Sequence, residues 1–137
     1  MSAPGAAHPF PPRSFLAFDF GTRRVGVATG NTVTGTATPL RTVAETGDAR
    51  FATIAKLVAE WQPDALVVGI PYHPDGAPHD NTERARRFAR QLHGRFRLAV
   101  HEVDERYTTT EAEAGGAVDV DAASAALILE QYLRSLS

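Results

Sequence analysis

The apolar residues of this chain change their repeat once, and that change constrains the fold more than any other feature. In the first third they come in short runs separated by turn residues. Residues 15–20 (FLAFDF) read as a buried strand, and residues 24–29 as a second. Gly30-Asn31 is a two-residue hairpin signal, and the Thr- and Val-rich residues 32–38 read as a third strand of an antiparallel meander. The period then becomes helical. Phe51, Ile54, Leu57, Val58 and Trp61 mark one face of a helix, with Asp48 placed to cap it and Pro63 to end it. Residues 65–70 (ALVVGI) are a fourth buried strand, and Pro74-Asp75-Gly76 marks a turn in the loop at 72–80. Asp80 and Glu83 have capping-box spacing ahead of a helix carrying Ala85, Phe88, Ala89 and Leu92. Residues 98–103 form a fifth strand. A last helix aligns Ala125, Ile128, Leu129, Tyr132, Leu133 and Leu136.

The order is βββαβαβα, an α/β fold. Helical crossovers demand parallel pairing, right-handed in nearly all cases, so the expectation is a mixed five-stranded sheet flanked by helices. A chain of 137 residues suits one domain, expected over 15–137. The residues before it, 1–14, hold Pro4, Pro9, Pro11 and Pro12 and read as a disordered tail. That tail lacks the apolar segment of a secretory signal, and no apolar run approaches the roughly 20 residues that span a bilayer. The absence of cysteine excludes disulfides and thiolate metal sites and fits a reducing compartment. The expected location is the cytoplasm, with no membrane partner.

Three acids stand out. Asp19 ends an apolar strand, where an unpaired carboxylate is costly, and strand ends are where α/β sheets place ligand sites. Gly21 beside it permits a tight turn; a turn aspartate capping that bend is the plainer alternative. Asp104-Glu105 ends the fifth strand and could equally be a solvated turn. Asp121 shares the inward face of the last helix with Ala125, Ile128 and Tyr132, though an isolated Asp there could simply complement the helix N-terminus. Together the three are a stronger signal. Carboxylates converging at one sheet edge repel unless a cation joins them, and hard oxygen donors suit Mg²⁺ or Mn²⁺. His73, His79, His93 and His101 form no cluster that suggests zinc, and none is persuasively placed as a general base.

With these residues in view, DFGTRRVGVA, VVGIP, DERYTT and VDAASAALILE resemble the motifs of the YqgF/RuvX family, in the right order, over residues 15–137. The resemblance implies a ribonuclease H-like fold and metal-dependent endonucleolytic cleavage of structured nucleic acid, structured RNA or branched DNA. The role it implies is 5′-end processing of the 16S rRNA precursor or resolution of Holliday junctions. It also implies Asp19, Glu105 and Asp121 as catalytic metal ligands, with Asp104 as a neighbouring candidate. Two ions roughly 4 Å apart would share Asp19. Arg24, Arg106 and Thr108 match accessory polar positions. The segment from Tyr107 to Val120 is shorter and less basic than is usual in the family.

The net charge of −2 is not that of a globally basic binder, so the placement of the arginines matters. Every basic residue except Lys56 is Arg, a bias that genomic GC content also produces. Arg84, Arg86, Arg87 and Arg90 project from the helix whose other face is apolar. They read as phosphate contacts or as an ordinary solvated face, and Arg23 and Arg24 lie beside Asp19. A homodimer is an admissible assembly. Two rival readings share part of this pattern. An actin- or sugar-kinase-like ATPase shares the Asp-x-Gly-Thr pattern but needs two lobes. A non-catalytic nucleic-acid-binding or ribosome-assembly module with the same fold would not need all three acids.

Overall fold

In a computed structural model, which describes residues 11–105 and 119–136, the strands are β1 (Ser14–Phe20), β2 (Val25–Asn31), β3 (Ala37–Val43), β4 (Ala65–Ile70) and β5 (Ala99–Asp104). The helices are α1 (Gly47–Trp61), α2 (Thr82–Phe96) and α3 (Val120–Ser135). The sheet order is β3-β2-β1-β4-β5, with β1 antiparallel to β2, β2 antiparallel to β3, and β4 parallel to both β1 and β5. The expected βββαβαβα order and mixed five-stranded sheet are therefore present.

Strand alternation divides the core into two layers. Leu16, Phe18, Val25, Val27, Leu66, Val68 and Ile70 face α1 and α2, where they pack with Ile54, Phe88 and Leu92. Phe15, Ala17, Ala65, Val67 and Val103 face the other way, onto Ile128, Leu129 and Leu133 of α3. β4 is buried along its whole length, as a central parallel strand must be. Among the described residues no helix is long and apolar enough to cross a membrane.

Several expectations need correction. Gly30 and Asn31 do not turn the chain; they are the last residues of β2, and β3 starts at Ala37 rather than at Thr32. The turn lies beyond them, where the Asn31 side-chain oxygen accepts from the backbone N–H of Thr34 at 2.9 Å. Gly30 is small because a Cβ there would lie 2.6 Å from the Thr36 carbonyl oxygen and 2.8 Å from Leu129 of α3. Thr46, not Asp48, is the N-cap of α1, and Asn81, not Asp80, that of α2. α1 does end before Pro63, with Gln62 left-handed and its N–H bonded to Val58. The fold also reaches slightly upstream of Phe15: Ser14 is in β1, and Arg13 exchanges backbone and side-chain bonds with Thr32.

Candidate active site

The acids meet on the α3 face. Asp19 is the penultimate residue of β1, and alternation with Phe15 and Ala17 turns it toward α3. Its partners on the two flanking strands are both glycines, Gly26 on β2 and Gly69 on β4. Each clears space for one of the other acids. A Cβ on Gly26 would sit 1.8 Å from the backbone oxygen of Asp121, so only glycine lets the start of α3 rest on the sheet. A Cβ on Gly69 would lie 2.8 Å from the Glu105 carboxylate. The row continues to Thr42 on β3, whose hydroxyl donates to the Asp119 carboxylate. Asp119 is the N-cap of α3 and accepts from the Ala122 N–H at 3.0 Å, so one side chain caps the helix and ties it to the sheet. Burial pushes the Asp119 carboxyl up, but the hydrogen bonds from Thr42 and Ala122 outweigh it and hold the group below its ordinary value.

Electrostatics set this cluster apart. Burial and the Asp121 charge push Asp19 up to about 6, against the hydrogen bond from Glu105, which acts downward. Glu105 is pushed to about 8, first by burial, then by the Asp19 charge, the hydrogen bond it gives Asp19, and the Asp104 charge. Glu105 thus retains a proton and donates it to Asp19. Asp121 is held by Arg24 instead, Nε to carboxylate 3.0 Å. Among the described residues no three acidic or imidazole side chains close into a finished ligand shell. A shared proton and a guanidinium balance the acids. The donor set, hard carboxylate oxygens with more negative charge than their surroundings tolerate, fits a divalent cation.

Of the sequence candidates, Asp19 and Glu105 share a hydrogen bond, and Asp121, paired with Arg24, is near enough for its charge to act on Asp19. Asp104 does not join them. Register places it beside Ile70, on the α2 face, where with Tyr72, Gly76 and Glu102 it lines a separate cavity of about 280 Å³. Arg23 and Arg24 line a cleft of about 470 Å³ with Gly21, Thr22 and Asp121. Arg106 and Thr108, and the short segment from Tyr107 to Val118, lie outside the described residues. Arg84, Arg86, Arg87 and Arg90 are exposed on α2, behind the sheet from the acids. Arg90 pairs with Glu83 at 2.7 Å, Arg86 with Glu102 at 3.6 Å, and Arg84 bonds Asn81 at 3.1 Å. Sequence reasoning missed the Gly26 and Gly69 clearances, the Thr42–Asp119 tie and the burial of Arg50. The last had a legible signal, since Arg50 shares the face of Ile54 and Leu57 at i, i+4 and i+7.

The chain is similar to known proteins in sequence and in fold. A family model described as RuvX, Holliday junction resolvase, matches residues 13–135. A protein of Polaromonas sp. named "Putative pre-16S rRNA nuclease" is 68% identical over 124 residues, 90% of each chain. Proteins of the same name from Albidiferax ferrireducens and Paraburkholderia phytofirmans are 64% and 53% identical, each over 90% of this chain and 80% and 90% of their own. Among solved structures, Thermus thermophilus RuvC in complex with a Holliday junction substrate superposes with a TM-score of 0.58 at 11% identity, covering 90% of this chain and 95% of that one. A second structure of Thermus thermophilus RuvC gives 0.57 at the same identity and coverage. At that identity the likeness shows the fold, which is ribonuclease H-like.

Proposed function

Since the chain belongs to the RuvX family, we propose that it is a metal-dependent endonuclease that hydrolyses phosphodiester bonds in structured nucleic acid. The favoured substrate is the 5′ region of precursor 16S rRNA, after the name its relatives carry at 53–68% identity. Branched DNA, after the family description, is the alternative. The observation that carries the reading is the meeting of Asp19 and Glu105 across Gly69 with Asp121 alongside, two of the three held above their ordinary carboxylate range.

Asp19, Glu105 and Asp121 are the ligands proposed for Mg²⁺ or Mn²⁺. Such an ion, when bound, supplies Lewis-acid charge to the phosphodiester and lowers the pKa of attacking water. Glu105 gives up its proton to become a ligand, so cation affinity rises with pH toward about 8. Arg23 and Arg24 are the residues proposed to bind backbone phosphate on the approach to the acids; their exposure along the cleft beside Asp121 supports this. The arginines of α2 face away from the acids and would touch only a substrate large enough to wrap the domain.

The test is a cleavage panel of precursor rRNA, four-way DNA junctions and single strands, each with Mg²⁺, Mn²⁺ or EDTA, for wild type and Asp19→Asn. Cleavage that needs the cation and is lost in a folded Asp19→Asn protein is expected. Wild-type turnover by that variant, or turnover in EDTA, would eliminate the reading.

A further inference from the structure

Arg50 is the single buried cation among the described residues, 6% exposed. It lies in the first turn of α1, on the face of the sheet opposite the acids. Among the described residues no carboxylate is paired with it. Its Nε donates to the Glu45 carbonyl oxygen at 3.0 Å and its Nη2 to the Thr22 carbonyl oxygen at 3.2 Å. Its guanidinium carbon stands 5.7 Å from the Phe20 ring centre. A buried guanidinium is expensive, and an apolar residue would fill this space at lower cost, so what it bonds is informative.

One partner, Glu45, lies just ahead of its own helix. The other, Thr22, belongs to the β1–β2 loop directly after Asp19, at the mouth of the cleft that Gly21, Arg23 and Arg24 line with Asp121. That loop is tight as well: a Cβ on Gly21 would fall 2.6 Å from the Arg24 carbonyl oxygen. Two arginines therefore act on one loop from opposite faces of the sheet. Arg24 reaches down to Asp121 on the α3 side, and Arg50 grips the loop backbone from the α1 side.

We propose that Arg50 is a positioning residue for the nucleic-acid site: by holding the Thr22 carbonyl from behind the sheet, it fixes the Gly21–Arg24 loop so that Arg23 and Arg24 present their guanidiniums to phosphate beside the acids. It touches neither substrate nor metal. The catalytic meaning of the proposal rests on the nuclease reading above; the coupling of Arg50 to the loop does not.

Two measurements separate these. Backbone ¹⁵N relaxation on the free protein compares wild type with Arg50→Met, which keeps the buried volume and loses the donors. Order parameters at residues 21–24 should fall from the rigid range, about 0.85, to below about 0.6, with β4 and α3 unchanged. Cleavage kinetics should then show KM raised by about tenfold, the worth of one hydrogen bond from a charged donor, and kcat, at saturating substrate and cation, within about twofold. Should Arg50→Met fail to fold, Arg50→Lys keeps the charge, reaches one carbonyl at a time, and should show the same split at smaller size. Unchanged order parameters at residues 21–24 would overturn the proposal. So would a loosened loop with unaltered KM, or a lower melting temperature with no local effect. A loosened loop in a protein whose wild type cleaves nothing would instead overturn the nuclease reading and leave the anchor standing.

Discussion

The proton held between Glu105 and Asp19 makes stability depend on pH in a direction opposite to that of most carboxylates. Glu105 rises from 4.5 to about 8 on folding, so the folded protein keeps a proton that the unfolded chain releases. Its stabilising effect is complete below pH 4.5 and fades as pH climbs toward about 8. At ~1.4 kcal/mol per pH unit, holding this proton while the unfolded chain releases its own costs the metal-free fold ~3 kcal/mol by pH 7 relative to acid conditions. Glu105→Gln removes the titration and keeps a donor for Asp19. In EDTA at pH 7 the variant should be the more stable protein by up to ~3 kcal/mol, raising its melting temperature by on the order of 10 °C. Its melting temperature should also vary less between pH 5 and 8; what slope remains belongs to Asp19, raised to about 6. Mg²⁺ should stabilise wild type most at high pH, where the cation replaces the proton, and Glu105→Gln much less. Thermal melts across that pH range, with EDTA and with Mg²⁺, measure all of this. A variant less stable than wild type at pH 8 in EDTA, or a wild type whose metal-free melting is flat from pH 5 to 8, would refute the reasoning.

Other perturbations follow from the same row of residues. Gly26→Ala must lift α3 off β2, since its Cβ would lie 1.8 Å from the Asp121 carbonyl oxygen; urea titration should show a loss of at least ~3 kcal/mol. Thr42→Val removes the hydroxyl that donates to Asp119 and should cost ~1 kcal/mol near neutral pH. Because Asp119 is held below its ordinary value, that cost should shrink as pH falls and the carboxylate is protonated, which urea titration at pH 7 and pH 3 would reveal. Replacing Arg23 with Ala should lower the slope of log affinity against log salt by about 0.9 on duplex DNA, or about 0.7 on single strands. The Arg86/Arg90 double Ala variant, on the far face and already paired to acids, should change the slope less, and an equal or larger change would move the substrate path onto α2.

How far the sequence carries depends on what each residue answers to. The buried strands 15–20 and 65–70 and the three helices were legible because hydrophobic period reports local geometry and burial at once. The β2–β3 turn was misread for a related reason. Gly30-Asn31 has the composition of a hairpin turn, but Gly30 answers to Leu129, a residue distant in sequence. Asp19, Glu105 and Asp121 could be singled out because acids at strand and helix ends are conspicuous. Asp104 shows the limit: adjacent to Glu105, it falls on the opposite face once the register with Ile70 is known. Thr42 and Asp119 gave no warning, since a threonine in an edge strand and an aspartate before a helix are ordinary until the fold joins them.

The docking of α3 has a consequence for when the site comes into being. Asp19 in β1 and Glu105, the residue after β5, are brought together by the pairing of β1, β4 and β5, in which the last helix takes no part. Asp121 arrives only when Ile128 and Leu129 close the second hydrophobic layer over Phe15, Ala17 and Val67 and Ala125 settles on Ala28. Completion of the core and completion of the charge cluster are therefore one event. The three-acid cluster is thus complete only in a chain whose second layer is closed.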